Sequence, residues 1–192
     1  MGLRELKRLI DCAIDDCQRI IVANPKAILS EGDFERIMAN CISKQIGYTP
    51  GQIVPNAYAV YTQISHYDNE DDALNARVDI LLMKPNSIIE SGDHNKGFFY
   101  KSKDSFAIEL KYRHDNNRGC VTAAMGDIDK FVKYSDDSHY YAIILLDKND
   151  NTIEHEREIL TYFKSKKSEL GRKYVNKFFC KVLLKDKTLH NK

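Results

Sequence analysis

Apolar residues recur along the first part of the chain with the spacing of a helix. Leu3, Leu6, Leu9, Ile10, Ala13, Ile14, Cys17 and Ile20 fall at intervals of three and four, which sets one apolar stripe on a helical surface. The pattern predicts a helix from Leu3 to Ala23. Asn24-Pro25 closes it, because a residue before proline is pushed out of helical geometry. A second stripe, Phe34, Ile37, Met38, Cys41 and Ile42, predicts a helix from Ser30 to Ile46. Ser30 suits its N-cap and Gly47 its C-terminal stop.

The period then changes to two. Ala57 to His66 and Leu74 to Met83 alternate as strands do, joined by an acidic turn from Tyr67 to Asp72. Ser105 to Tyr112 is the third such segment. Phe106, Ile108, Leu110 and Tyr112 take one side, and Ser105, Ala107, Glu109 and Lys111 the other. Between the second and third strands, residues Pro85 to Asp104 are polar and read as an inserted hairpin or loop with short strands of its own. Cys120 to Ser135 predicts a helix with Val121, Ala124, Met125, Ile128, Phe131 and Val132 on one face. Tyr140 to Leu146 is almost continuously apolar, so it predicts a central strand covered on both faces. A charged helix from Asn151 to Leu170 and a final strand from Tyr174 to Leu184 complete the chain. The class is α/β, with a central mixed sheet flanked by helices. The core order is helix, three strands, helix, strand, with the helix of residues 1–24 and one strand added outside that core.

Composition adds bounds. A chain of 192 residues with 43% hydrophobic and 30% charged residues is expected to be one globular domain, 1–192. No apolar run is long enough to cross a membrane, and the first residues lack the apolar stretch of a signal peptide. The five cysteines, Cys12, Cys17, Cys41, Cys120 and Cys180, are scattered and form no CxxC pair. Reduced thiols in a cytoplasmic protein are expected, rather than a disulfide framework or a structural zinc site. No Walker or GxGxxG pattern points to a nucleotide cofactor. The net charge is +1, yet residues 164–192 carry ten Lys or Arg against two acids, so that segment is +8 and the rest −7. The segment is either an anion-binding surface or a solvated helix end beside a lysine-guarded edge strand.

The chemistry concentrates on the third strand. Glu109 and Lys111 share one side of it, about 7 Å apart. The same tripeptide occurs at Glu5-Leu6-Lys7, but on a helix, where residues two apart point about 200° away from each other. Strand context therefore carries the signal. Asp79 lies inside the apolar run Val78-Asp79-Ile80-Leu81-Leu82-Met83, where an acid is costly unless it is paired or binds a cation. If the second and third strands are antiparallel neighbours, Asp79 and Glu109 meet at about the 4.8 Å strand spacing. Two carboxylates beside an ammonium form either a site for a hard cation or a structural ion-pair network. Glu31, in the first turn of the second helix, borders its buried face, and Glu35 lies farther toward the flank.

This order of elements, with Asp79 followed by Glu109-Leu110-Lys111, resembles the PD-(D/E)XK nuclease superfamily, the restriction-endonuclease-like fold with an αβββαβ core. The opening Ser30-Glu31-Gly32-Asp33-Phe34-Glu35 is similar to the first core helix of many members. The likeness spans roughly Ser30 to Leu146. No proline precedes Asp79, and the gap from Asp79 to Glu109 is long for the family. The resemblance implies a Mg²⁺- or Mn²⁺-dependent endonuclease acting on DNA. Asp79 and Glu109 would ligate the metal, the carbonyl of Leu110 would complete the set, and Lys111 would orient the attacking water. Glu31 would position a metal-bound water, with Glu35 the alternative. Arg113, Arg118 and Lys130 follow the motif and are candidates for phosphate contacts. A homodimer would suit the cutting of both strands of a duplex. The rivals are a catalytically silent binding member of the same fold and an RNA-directed nuclease.

Overall fold

The computed structural model describes residues 1–52, 54–67, 74–90, 98–100, 105–114, 116–133, 138–170 and 175–185. The elements follow the predicted order. Helix α1 (Leu3–Ala23) and helix α2 (Glu31–Ile46) precede strands β1 (Ala59–Tyr67) and β2 (Leu74–Met83). Two short strands follow, β3 (Ile88–Glu90) and β4 (Phe98–Tyr100). Then come β5 (Phe106–Lys111), α3 (Asn117–Lys133), β6 (His139–Leu146), α4 (Thr152–Glu169) and β7 (Phe178–Leu184). Short 3-10 turns sit at Pro25–Ala27, Pro85–Ser87 and Val175–Lys177.

Five strands form one mixed sheet in the order β1-β2-β5-β6-β7. The first two junctions, β1 with β2 and β2 with β5, are antiparallel. The last two, β5 with β6 and β6 with β7, are parallel and are crossed by α3 and α4. The strands β3 and β4 pair antiparallel as a separate two-stranded sheet, so the predicted hairpin between Pro85 and Asp104 is present in its described parts. Residues 91–97 and 101–104 lie outside the described residues, as does most of the turn expected between Tyr67 and Asp72.

Two apolar layers sandwich the sheet. Ile80, Leu82, Phe106, Ile108, Leu110, Tyr141, Ile143 and Leu145 pack with α1 and α2 on one face. Leu81, Met83, Ala107, Tyr140, Ala142, Ile144 and Leu146 pack with α3 and α4 on the other. The interior, doubly covered place of β6, between β5 and β7, follows from its unbroken apolar run. The N-terminal helix, expected as an addition to the αβββαβ order, contributes its apolar stripe to the layer it shares with α2. Leu6, Ile10, Ala13, Cys17 and Ile21 are fully buried. Asp11 accepts the Tyr141 hydroxyl at 3.2 Å, and the Gln18 amide brackets the main chain of Leu184 at 2.6 and 3.0 Å.

Boundaries shift where capping decides them. Helix α3 starts before Cys120 because the Asn116 side chain accepts the Gly119 N–H at 2.8 Å. A Cβ at Gly119 would lie 2.7 Å from that side chain, so glycine keeps the cap open. Buried Asn117 in the same turn clamps both main-chain groups of Asp147 at 2.7 and 2.9 Å. The start of α3 is thereby tied to the end of β6. The predicted final strand begins only at Phe178, after a 3-10 turn. All five cysteines are free. Among the described residues no helix is long and apolar enough to cross a membrane.

Candidate functional site

Strands β2 and β5 are antiparallel neighbours, the condition under which Asp79 and Glu109 meet. Their ladder runs Leu82↔Phe106, Leu81↔Ala107 and Ile80↔Ile108, and stops there. Asp79 and Glu109 are the next residues, at the point where the ladder ends. The Asp79 carboxylate takes over one main-chain group, and its Oδ2 accepts the Leu110 N–H at 2.7 Å.

The strand on the other side of β2 is distorted at the same level. Gln63 has φ of 56° and is the one non-glycine residue with positive φ among the described residues. β1 pairs with β2 through Thr62↔Ile80 and Ile64↔Val78, and Gln63 is skipped between them. A left-handed backbone costs on the order of 1 kcal/mol for such a residue. Here it aims the Gln63 amide at two carboxylates, donating to Glu35 Oε2 at 2.6 Å and Asp79 Oδ1 at 3.3 Å.

Helix α2 supplies Glu31 at its first residue. A capping box sets that start. Ser30 Oγ accepts the Asp33 N–H and Asp33 accepts the Ser30 N–H, both at 3.2 Å. Glu31 then reaches the end of β5, where it accepts the Tyr112 N–H at 3.1 Å and pairs with Lys111 at 3.2 Å. Of the two helix acids, Glu31 holds the motif lysine and Glu35 holds Gln63.

Helix α3 closes the site from the opposite face. Asp127 lies 3.4 Å from Lys111 Nζ. Lys130, one turn on, lies 3.0 Å from Glu109 Oε1 and donates to the Arg77 carbonyl at 2.9 Å. Asp127 and Gln63 were not singled out in the sequence. Asp127 carried a readable signal, since it sits three residues after Ala124 and four before Phe131, on the buried stripe of α3. Gln63 carried none. Lys130, expected to contact phosphate, points instead into the carboxylate cluster. Arg118 is held by Glu158 at 2.7 Å on the α4 side, and Arg113 is exposed.

Burial sets the electrostatics. Glu109 is only 7% exposed. Burial first, and then the nearby Asp79 charge, push its carboxyl up to about 8 against the opposing pull of Lys130. Burial likewise raises the Asp79 and Asp127 carboxyls. Burial alone would lower the Lys111 ammonium, but Asp127 and Glu31 more than offset it and hold it above its usual range. Glu109 Oε2 and Asp127 Oδ2 are buried without a hydrogen-bond partner. Among the described residues, no three acids, histidines or cysteines stand together in metal-ligand geometry.

The basic segment is partly consumed by the fold. Lys185 is buried against Asp147 at 3.0 Å, the Ile28 carbonyl at 2.9 Å and the Tyr112 hydroxyl. Lys167 caps the Phe178 carbonyl at 2.9 Å, and Lys166 pairs with Asp129 at 3.4 Å. Lys164 and Lys181 are exposed. Residues 171–174 and 186–192 lie outside the described residues.

No family model, curated protein or solved structure matches this chain.

Proposed function

We propose that this chain is a divalent-metal-dependent phosphodiesterase acting on DNA, built on the restriction-endonuclease-like αβββαβ core. One observation carries the reading. Asp79 and Glu109 fall together where the β2–β5 ladder ends, with Lys111 on the same strand held by Glu31 from α2.

The donor set suits Mg²⁺ or Mn²⁺. Asp79, Glu109 and the Leu110 carbonyl offer hard oxygens, and Mg²⁺ is usually anchored by one or two carboxylates together with water and substrate phosphate. Glu109 Oε2 is buried and unpartnered, and Glu109 is pushed up by burial and then by the Asp79 charge. A cation between the two would satisfy the first and relieve the second. The ion would supply a Lewis acid for the phosphoryl oxygen and lower the pKa of a water.

The remaining chemistry belongs to the chain. Lys111 is half-buried and held from two sides, so its ammonium is preorganised to stabilise charge developing on the phosphate. Glu31 fixes both the Lys111 ammonium and the Tyr112 main chain at the end of β5. Overall charge near neutral disfavours tight indiscriminate binding, since each phosphate contact needs a cation. The exposed lysines of the C-terminal segment and the β3–β4 hairpin are the candidate recognition parts.

The deciding experiment is incubation of the full chain with supercoiled plasmid, single strands, branched DNA and RNA, with and without Mg²⁺ or Mn²⁺. Metal-dependent cleavage of DNA that a chelator abolishes is expected. Cleavage of RNA alone would redirect the substrate, and cleavage of nothing would remove the reading.

A second reading is a silent binding member of the same fold. It is favoured by the engagement of Glu109 and Lys111 with ions of the chain itself. Calorimetry separates the two, because a silent member takes up Mg²⁺ and Mn²⁺ poorly.

A further inference from the structure

Glu109 and Lys111 are two residues apart on one side of β5, yet no ion pair joins them. Each is claimed by α3. Lys130 takes Glu109 at 3.0 Å, and Asp127 takes Lys111 at 3.4 Å. The helix presents an acid and a base one turn apart, with signs opposite to those of the strand. The result is a crossed square in which Lys111 is kept off its neighbour Glu109.

Lys111 is 17% exposed and Asp127 20%. An acid on the buried stripe of a helix is costly unless it has a partner, and Lys111 is that partner. The ammonium is thus suspended between two helices on opposite faces of the sheet. Glu31 at the start of α2 accepts a hydrogen bond from it at 3.3 Å. Asp127 on α3 holds it by charge, with Oδ2 at 3.4 Å. A lysine side chain has considerable rotamer freedom to lose. One tether leaves much of that freedom, and two from rigid helices remove most of it.

We propose that Asp127 is a positioning residue for Lys111, holding its ammonium at the site against the pull of Glu31. The inference rests on the phosphodiesterase reading. Asp127 acts through Lys111 and touches neither phosphate nor metal. Without it the ammonium keeps only its tether to Glu31, at 3.2 Å on a side chain that is 39% exposed, and loses its fixed place at the site.

The test is steady-state and single-turnover cleavage by Asp127→Asn, Asp127→Glu, Lys111→Ala and the double variant Asp127→Asn/Lys111→Ala, at saturating metal. Misplacing one group by an ångström can cost about 10²-fold in rate. Asp127→Asn is therefore expected to lose about ten- to a hundredfold in kcat, with KM and the calorimetric metal midpoint nearly unchanged. In the Lys111→Ala background the same substitution should do nothing more, because the residues act as a unit. Asp127→Glu, which keeps the charge, should recover part of the rate. Additive losses in the double variant would overturn the inference, as would a shift in KM or metal affinity with kcat intact. A wild-type protein that cleaves nothing would instead remove the phosphodiesterase reading, and this inference with it.

Discussion

Lys130 on α3 lies 3.0 Å from Glu109 Oε1 on β5, and the same ammonium donates to the Arg77 carbonyl on β2. One side chain therefore braces the two strands that carry the acids, just beyond the point where their ladder ends.

Lys130→Met should separate bracing from phosphate binding. Leaving a buried charge unpaired typically costs about 3–5 kcal/mol. That loss should appear in thermal unfolding above pH 8, where Glu109 is ionised, and shrink at lower pH, where it keeps its proton. The salt dependence of DNA binding should not change. A slope lowered by nearly one log–log unit would return Lys130 to the phosphate-contacting residues.

Glu109 should make the metal-free protein pH-sensitive. Its folded carboxyl is raised from the ordinary 4.5 to about 8. The stability linked to its proton is fully present below pH 4.5 and is lost as pH rises through about 8. Asp79 and Asp127 are raised as well and act with the same sign. Unfolding in chelator should therefore show falling stability across this window, on the order of a few kcal/mol. Glu109→Gln should flatten the decline and be the more stable protein at pH 8. Parallel profiles for the two proteins would show that Glu109 does not hold this proton.

Asp79→Asn distinguishes a metal site from an ion-pair network. In a metal site the substitution relieves carboxylate repulsion. Metal-free stability should be unchanged or higher, and the heat of Mg²⁺ binding should disappear. A clear loss of stability in chelator would favour the network.

Lys111→Ala and Lys7→Ala remove the same residue type from the same tripeptide. Lys111→Ala should retain metal and lose about 10²–10³ in cleavage rate. Lys7 pairs with Asp11 at 2.6 Å and lies 4.6 Å over the Phe179 ring. Its removal should cost under about 1 kcal/mol of stability and leave cleavage intact. Equal effects on cleavage would deprive the strand context of functional meaning.

The sequence alone decided what depends on neighbours along the chain. Period 3.6 set α1 and α2, and Ser30 with Asp33 and Gly47 set the ends of α2, the last through a left-handed φ of 72°. Period two set β2 and β5. Strand alternation and adjacency then brought Asp79 to Glu109, because a sheet has few ways to pair two such segments. The tertiary structure decided the rest. Lys185 belongs to the basic segment that closes the chain, yet its ammonium is buried beside Asp147 because the parallel strands β5, β6 and β7 end at one edge of the sheet. Gln63 holds a strained backbone for contacts with Glu35 and Asp79, and no local propensity encodes them. Asp127 and Lys130 reach Lys111 and Glu109 only because α3 crosses the sheet at one angle and height. Those quantities are fixed by the packing of Val121, Ala124, Ile128 and Phe131 against the strands. Local patterns select elements because they act within a turn or a pleat, whereas charge partners across elements are chosen by the packed core that sets the elements' distance and rotation.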